Sequence, residues 1–339
     1  MPKNVTTELE YLSASRRGRG ISITRNERKA LWPVFEEMRN ELSLRKLVTA
    51  EDACFLASIL IKQEGNLNHR YGAVVVDETQ DLGPEALTLL AQLAKRYSVD
   101  GKDAEPCIFL VGDGHLRIYS KVASLSACGI NVRGGRSSRL KVTYRTTEET
   151  RRIANAVLLN EPFDDMDGGS ETLAGNRSIR HGQQPELYRA QDFEDEVEWI
   201  AQKIKEVQMD NPNYQTSDIC IVARTQKLIH SYKEGLEKEG YRVVSVARNK
   251  ADDTTSGLRV ATMHRVKGLE FKVVFIAGAN EGTMPLIKEN SDDETENKLA
   301  LLQERSLFYV SASRARDLLF ISCSGLPGEF MKLLSKPNL

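Results

Sequence analysis

The stretch LRVATMHRVKGLEFKVVFIAG (residues 258–278) sets two short apolar runs, Leu258–Thr262 and residues 273–276, on either side of a polar loop. Both runs are rich in Val and Ile and lack polar alternation. Buried parallel strands have this composition, because helices cover both faces of their sheet. The loop between them carries Thr262, His264, Lys267, Gly268 and Glu270. Central strands rarely bracket so many polar groups without a ligand, since binding residues concentrate on loops held by a rigid scaffold. His264 has no second His or Cys beside it, so a metal site there is not expected.

Working outward, five further runs have the same character: residues 73–76, 107–111, 219–222, 243–246 and 318–322. Amphipathic helices are expected between them. One covers 84–96, with Pro84 in the favoured first turn. Another covers 148–159, with Thr146 and Glu149 as its capping box. A third covers 228–239 and ends at Gly240. The region 1–70 reads mostly as helix. Leu31, Phe35, Met38 and Leu42 share a helical face there, and Pro33 is expected to start or kink that helix. Thr49 with Asp52 forms an N-cap before the apolar run 55–61. The fold class is therefore α/β. The basic, glycine-rich segment GINVRGGRSSR (129–139) is the candidate hinge between domains.

The 339 residues suffice for two domains, and 40% apolar with 28% charged residues is a globular profile. No run has the length of a membrane span, and the start, MPKNVTTELE, has no signal-peptide core. A cytoplasmic location is expected, with no membrane partner. Five scattered cysteines without a CxxC pair argue against a disulfide framework or a zinc site. The net charge of −1 hides basic clusters at Arg16, Arg17 and Arg19, and from Arg133 through Arg136, Arg139 and Lys141 to Arg145. Such clusters suit phosphate contacts, although a near-neutral chain is not an electrostatic nucleic-acid binder by default.

Four other stretches carry chemistry. In YGAVVVDETQD (71–81) a strand delivers Asp77 and Glu78 at its carboxyl end, where open α/β sheets bind ligands. One carboxylate there can hold Mg²⁺ and the other can activate a water. An acidic helix start would look the same. In CIFLVGDGHLRIY (107–119) a strand ends in Gly112-Asp113, a common turn, with Tyr119 beyond. In LKVTYRTTEETRR (140–152) Tyr144 can stack on a base and Arg145 can reach a phosphate, or the pair is an ordinary domain-entry turn. In ERSLFYVSASRARDLLFIS (304–322) Arg314 is either a helix-dipole partner or an arginine finger.

Their order is DExQD, GDxxxxIY, YRTT, TxHxxKGLEF and ERxLxYVxxSRA. From Tyr71 to Ser322 the chain thereby resembles the UvrD/Rep/PcrA-type superfamily 1 DNA helicases. The resemblance implies a RecA-like, P-loop NTPase helicase fold. Residues 1–70 would be a helical region, 71–139 part of a first RecA-like domain, and 140–339 a complete second one. ATP and Mg²⁺ are the implied cofactors and single-stranded DNA the implied partner, tracked 3′ to 5′. By the same resemblance Asp77 would bind Mg²⁺ and Glu78 would activate water. Gln80 and Asp81 would link the nucleotide site to the rest of the motor. Tyr144 would stack on adenine, and Arg145 and Arg314 would reach the γ-phosphate. Glu270, supported by Gly268, would contact the ribose. Thr262 and His264 would touch DNA, while Tyr119 and Tyr309 belong to the DNA-contacting layer.

The chain departs from this pattern in several places. No GxxxxGK[ST] occurs in it, and Leu116 stands where the family has a glutamine that senses the γ-phosphate. The DNA-stacking aromatic of that motif is absent around Ser120–Ala123, and the interval from Arg145 to Thr262 has no room for a large inserted domain. Without a P-loop, hydrolysis by this chain alone is not expected. A separate P-loop-containing half or subunit would complete it. The alternative is a non-hydrolysing module that binds nucleic acid or a protein partner.

Overall fold

The computed structural model describes residues 7–13, 23–63, 71–97, 105–116, 124–133, 135–158, 163–164, 170–171, 175–246, 256–287 and 294–336. The chain divides into two compact units. The first comprises Met1–Ser138 with Asp164–Ser170 and Ser291–Glu296; the second comprises Arg139–Phe163, Glu171–Asn290 and Asn297–Leu339.

In the first unit three helices precede the sheet: α1 (Glu8–Ser13), α2 (Arg25–Leu44) and α3 (Ala50–Gln63). Thr24 and Glu27 form a reciprocal capping box that starts α2. Of the two expectations for Pro33, starting or kinking the helix, the first is thus overturned, because Thr24 caps the helix well upstream and Pro33 lies inside it. Trp32 is the buried anchor of α2, packed with Tyr11 and Phe35. The Thr49 hydroxyl accepts from the Asp52 N–H at 3.1 Å, the expected N-cap of α3.

Strands β1 (Val74–Val76) and β2 (Ile108–Leu110) pair in parallel, with Val75 opposite Phe109. Helix α4 (Pro84–Leu93), with Pro84 in its first turn, packs Leu87 and Ala91 against Ile108, Leu110 and the 125–132 segment. Cover on both faces, expected from the continuous apolar runs, fails here. Val75 and Phe109 share a face and are 73% and 64% exposed. The described helix α4 serves only the opposite face.

The second unit contains a six-stranded, all-parallel sheet. Its first small elements are β3 (Val142–Thr143), α5 (Glu148–Val157) and β4 (Arg177–Ser178), with β3 and β4 paired. Then come β5 (Glu186–Ala190), α6 (Phe193–Asp210), β6 (Ile219–Ala223), α7 (Gln226–Lys238), β7 (Val243–Ser245), β8 (Leu258–Thr262), β9 (Phe271–Ile276), α8 (Glu294–Ala312), β10 (Ala315–Ser324) and α9 (Glu329–Leu334). The strand order is β7-β8-β6-β9-β10-β5. Every residue of β6 is buried, as a central parallel strand requires. The core joins Ile200 and Ile204 of α6 and Tyr232 and Leu236 of α7 to Ile221, Val260, Val273 and Phe275 of the sheet.

Glu196 lies at the heart of this unit and is fully buried. Its carboxylate accepts from the Ser322 hydroxyl (2.6 Å), the Tyr232 hydroxyl (2.9 Å) and the Gly278 N–H (3.0 Å). A buried carboxylate is tolerated when donors satisfy it, and these three tie α6 to α7, the end of β9 and β10. Among the described residues no helix is long and apolar enough to cross a membrane, and the cysteines form no disulfide.

Candidate functional site

In the first unit Asp77 and Glu78 follow β1 and are exposed at the carboxyl end of the two paired strands. The Asp77 carboxylate accepts from the Glu78 N–H at 2.8 Å. Glu78 has φ +51°, a left-handed conformation that costs a non-glycine residue energy and needs support from its neighbours. The support is visible. Thr79 donates twice to the Val111 carbonyl, from its N–H (3.0 Å) and its hydroxyl (2.9 Å). Gln80, 1% exposed, donates from its amide to the Glu78 carboxylate and accepts from the Asp113 N–H at 3.1 Å. Gly112 is required beside it, since a Cβ there would lie 2.7 Å from the Gln80 amide oxygen. The DETQ and GD stretches therefore form one site bridged by Gln80. Leu116 follows on a short turn, next to His115, whose Nδ1 is 2.9 Å from the Asp113 carboxylate. Tyr119 and the 120–123 segment lie outside the described residues.

In the second unit Tyr144 and Arg145 occupy a turn between β3 and α5, with Tyr144 69% exposed. The residues 177–182 strap this turn down. The Ser178 hydroxyl donates to the Thr146 carbonyl (2.6 Å), and the Ser178 N–H donates to Glu148 (2.8 Å). The Glu148 N–H donates to the Arg180 carbonyl (2.7 Å), and the Gly182 N–H donates to Glu149 (2.9 Å). This strap overturns the expected capping box. The N-cap is Thr147, whose hydroxyl accepts from Thr150, because the Thr146 carbonyl and the Glu149 carboxylate are engaged by the strap instead.

The loop 263–270 crosses the sheet from the carboxyl end of β8 to the amino end of β9, with Met263 and Val266 buried. Gly268 holds φ +80°, which turns the chain back so that Glu270 emerges beside Arg145. Arg145 Nε lies 2.9 Å from the Glu270 carboxylate, and both side chains are about half exposed. Arg314 is placed differently from a projecting finger. It is 4% exposed, and its guanidinium donates to the carbonyls of Val310 (3.0 Å) and Leu269 (3.4 Å) and to the Ser313 hydroxyl (3.0 Å). It thus braces the end of α8 against the residue preceding Glu270.

Thr262 and His264 lie at the opposite, carboxyl end of the sheet. There Arg224 and Glu304 form a bidentate pair at 2.6–3.1 Å, and Glu304 also accepts from the Leu286 N–H at 3.0 Å. Burial, reinforced by the charge of Arg224, holds His264 below its ordinary value, with Glu304 opposing. Burial and Arg224 both favour the neutral imidazole. Tyr309 lies on α8, half-buried, close enough to Arg151 of α5 for the two to interact electrostatically.

The family model described as the UvrD-like helicase C-terminal domain matches residues 138–251 and 243–325, more than half of the chain. The chain belongs to this UvrD-like family. Its fold is α/β and RecA-like, as that membership and the six-stranded parallel sheet require. A "Probable DNA helicase" of Mycoplasma pneumoniae is 24% identical over 278 residues, which is 78% of this chain and 47% of that protein. The "ATP-dependent DNA helicase PcrA" of Staphylococcus epidermidis is 38% identical over 92 residues, 24% of this chain and 12% of that protein. The chain thus spans about half or less of the length of these curated relatives. The solved C-terminal domain of a possible DNA helicase from Lactobacillus plantarum WCFS1 shares 20% identity, with 57% of this chain and 94% of that one covered at a TM-score of 0.39. That superposition is too loose to carry weight beside the family match.

Within the UvrD-like unit, sequence reasoning missed Arg180, Asp317, Glu304 and the buried Glu196 as organising residues. Each acts through a partner 80 or more positions away, so no local pattern marks it.

Proposed function

We propose that this UvrD-like chain is the C-terminal part of an ATP-dependent DNA helicase that couples ATP hydrolysis to 3′-to-5′ movement along single-stranded DNA. The observation that carries the reading is the meeting of Arg145 with Glu270 beside exposed Tyr144. Three side chains suited to phosphate, ribose and base gather at one place on the second unit, from segments more than 100 positions apart. A guanidinium there matches a phosphate bidentately, and an aromatic face stacks on a base. In this reading Asp77 holds Mg²⁺ together with waters and nucleotide phosphates, which needs only one or two protein carboxylates. Glu78 orients the attacking water, Gln80 reports its state, and Arg314 holds the loop that presents Glu270. Thr262, His264 and Tyr309 face DNA, so the 263–270 crossover joins the nucleotide end of the sheet to the DNA end. The first unit serves as part of one RecA-like domain and the second as a complete one. The scattered thiols suit the cytoplasm.

A second reading, a silent binding module on the helicase fold, is favoured by Leu116, whose side chain can neither donate nor accept a hydrogen bond. The deciding experiment is DNA-stimulated ATP hydrolysis by the chain, alone and mixed with a separately expressed polypeptide that supplies a P-loop. The helicase reading expects activity in the mixture, its abolition by Glu78→Gln, and a loss of about 10³ with Arg145→Ala. Silence of a folded, associated mixture would favour the binding module.

A further inference from the structure

Arg180 belongs to none of the motifs, yet its guanidinium sits at a junction. Nη1 donates to the Arg145 carbonyl at 2.7 Å and to the Arg316 carbonyl at 3.3 Å. Nη2 pairs with Asp317 at 2.6 Å. Asp317 also accepts from Arg316 and from the Tyr214 hydroxyl at 2.9 Å. One planar fork therefore ties the turn bearing Tyr144 and Arg145 to the first residues of β10, two positions after Arg314. The strap that carries Arg180 adds the hydrogen bonds from Ser178 and Gly182. Only arginine has donors in a rigid fork that can meet two carbonyls and a carboxylate together.

We propose that Arg180 is a positioning residue, which fixes the main chain at Arg145 so that its side chain stays oriented toward Glu270 and the phosphate end of a bound nucleotide. The proposal rests on the nucleotide reading for its consequence, though not for the clamp itself. Arg180 touches no nucleotide. It acts by pre-orienting a group that does, and preorganised donors outperform mobile ones. Asp317 anchors the fork, and Tyr214 and Arg316 keep Asp317 in place. A lysine at 180 would keep the charge, but its single nitrogen could not stand both where Nη1 meets the two carbonyls and where Nη2 meets Asp317.

The test uses the whole chain with two readouts. The first is the ¹⁵N resonance of the Arg145 Nε–H, assigned by its loss in Arg145→Lys. The second is calorimetric titration with ATP and with ADP of the chain mixed with the polypeptide that supplies a P-loop. Arg180→Gln and Arg180→Lys should both lose the Arg145 resonance while the amide peaks of Ile219–Ala223 stay unmoved. Both should shrink the preference for ATP over ADP about tenfold. Asp317→Asn, which spares the two carbonyl contacts, should weaken the resonance less. Persistence of the Arg145 resonance in both Arg180 variants would overturn the proposal, as would its loss with an unchanged ATP-to-ADP ratio. If the native mixture binds neither nucleotide, the nucleotide reading fails, and the resonance alone decides whether Arg180 holds Arg145.

Discussion

Gly268 stands at φ +80° with no atom within 4 Å of the Cβ it lacks. An alanine there meets no clash, so its whole penalty is conformational. Gly268→Ala should lower stability by about 1–2 kcal/mol in chemical denaturation. Gly268→Asn should lose less, because asparagine tolerates the left-handed region. Equal losses would argue against the conformational account. His264 offers a second test at this scale. Burial and Arg224 lower its titration from 6.5. The unfolded chain therefore takes up this proton at higher pH than the folded one. The stability owed to neutral His264 is complete above 6.5 and declines as pH falls from there through the lowered folded value. Proton NMR should place the His264 midpoint below 6.5, and Arg224→Gln should move it upward. An unchanged midpoint in that variant would remove Arg224 as a cause.

Among the elements, α5 depends most on its surroundings. Its N-cap Thr147 contributes about 1 kcal/mol by the usual worth of such caps, so Thr147→Ala should cost about that in denaturation. Glu148, in its first turn, accepts from Arg151, Arg152 and the Ser178 N–H. Arg151 above all, with Ser178 and Arg152 and against the effect of burial, holds Glu148 down at about 2 instead of 4.5. For a lowered carboxylate the stabilisation is complete above 4.5 and is lost as pH falls through about 2. Thermal melts from neutral pH down through that acid range should show Glu148→Gln less stable near neutrality and less dependent on pH than the native chain. A parallel pH dependence in both would contradict the assignment. The helix itself was legible from its spacing of apolar and charged residues. Its cap was not, because the choice between Thr146 and Thr147 depends on a strap about 30 residues downstream.

Over the molecule as a whole the two units have unequal cores. The second joins two long helices to a sheet whose central strand is wholly buried. The first joins α4 to two short strands with one face exposed. Hydrophobic stabilisation follows buried apolar area, so the first unit should open at lower free energy. Hydrogen exchange should find the amides of Ile219–Ala223 and of Phe271–Ile276 the slowest, and those of Val74–Val76 markedly faster. Denaturant unfolding followed by tryptophan fluorescence should show Trp32 reporting before Trp199. Coincident transitions at both reporters would count against independent units.

The sequence by itself determined the α/β class, the buried strands of the second unit and the motif order that marks a UvrD-like chain. These are local properties: a short, continuous Val- and Ile-rich run bounded by turns and amphipathic helices favours a strand over a helix. Tyr144, Arg145, Glu270, Asp77 and Glu78 were visible for the same reason, as polar groups at strand ends. Only the tertiary structure decided which of them meet. Arg145 pairs with Glu270, Arg224 with Glu304 and Arg180 with Asp317, each across 80 or more residues. It also decided that Arg314 braces a loop end and that β1 and β2 bury one face. Such outcomes depend on what packs against what, and in a chain whose strands pair out of sequence order no local pattern encodes that.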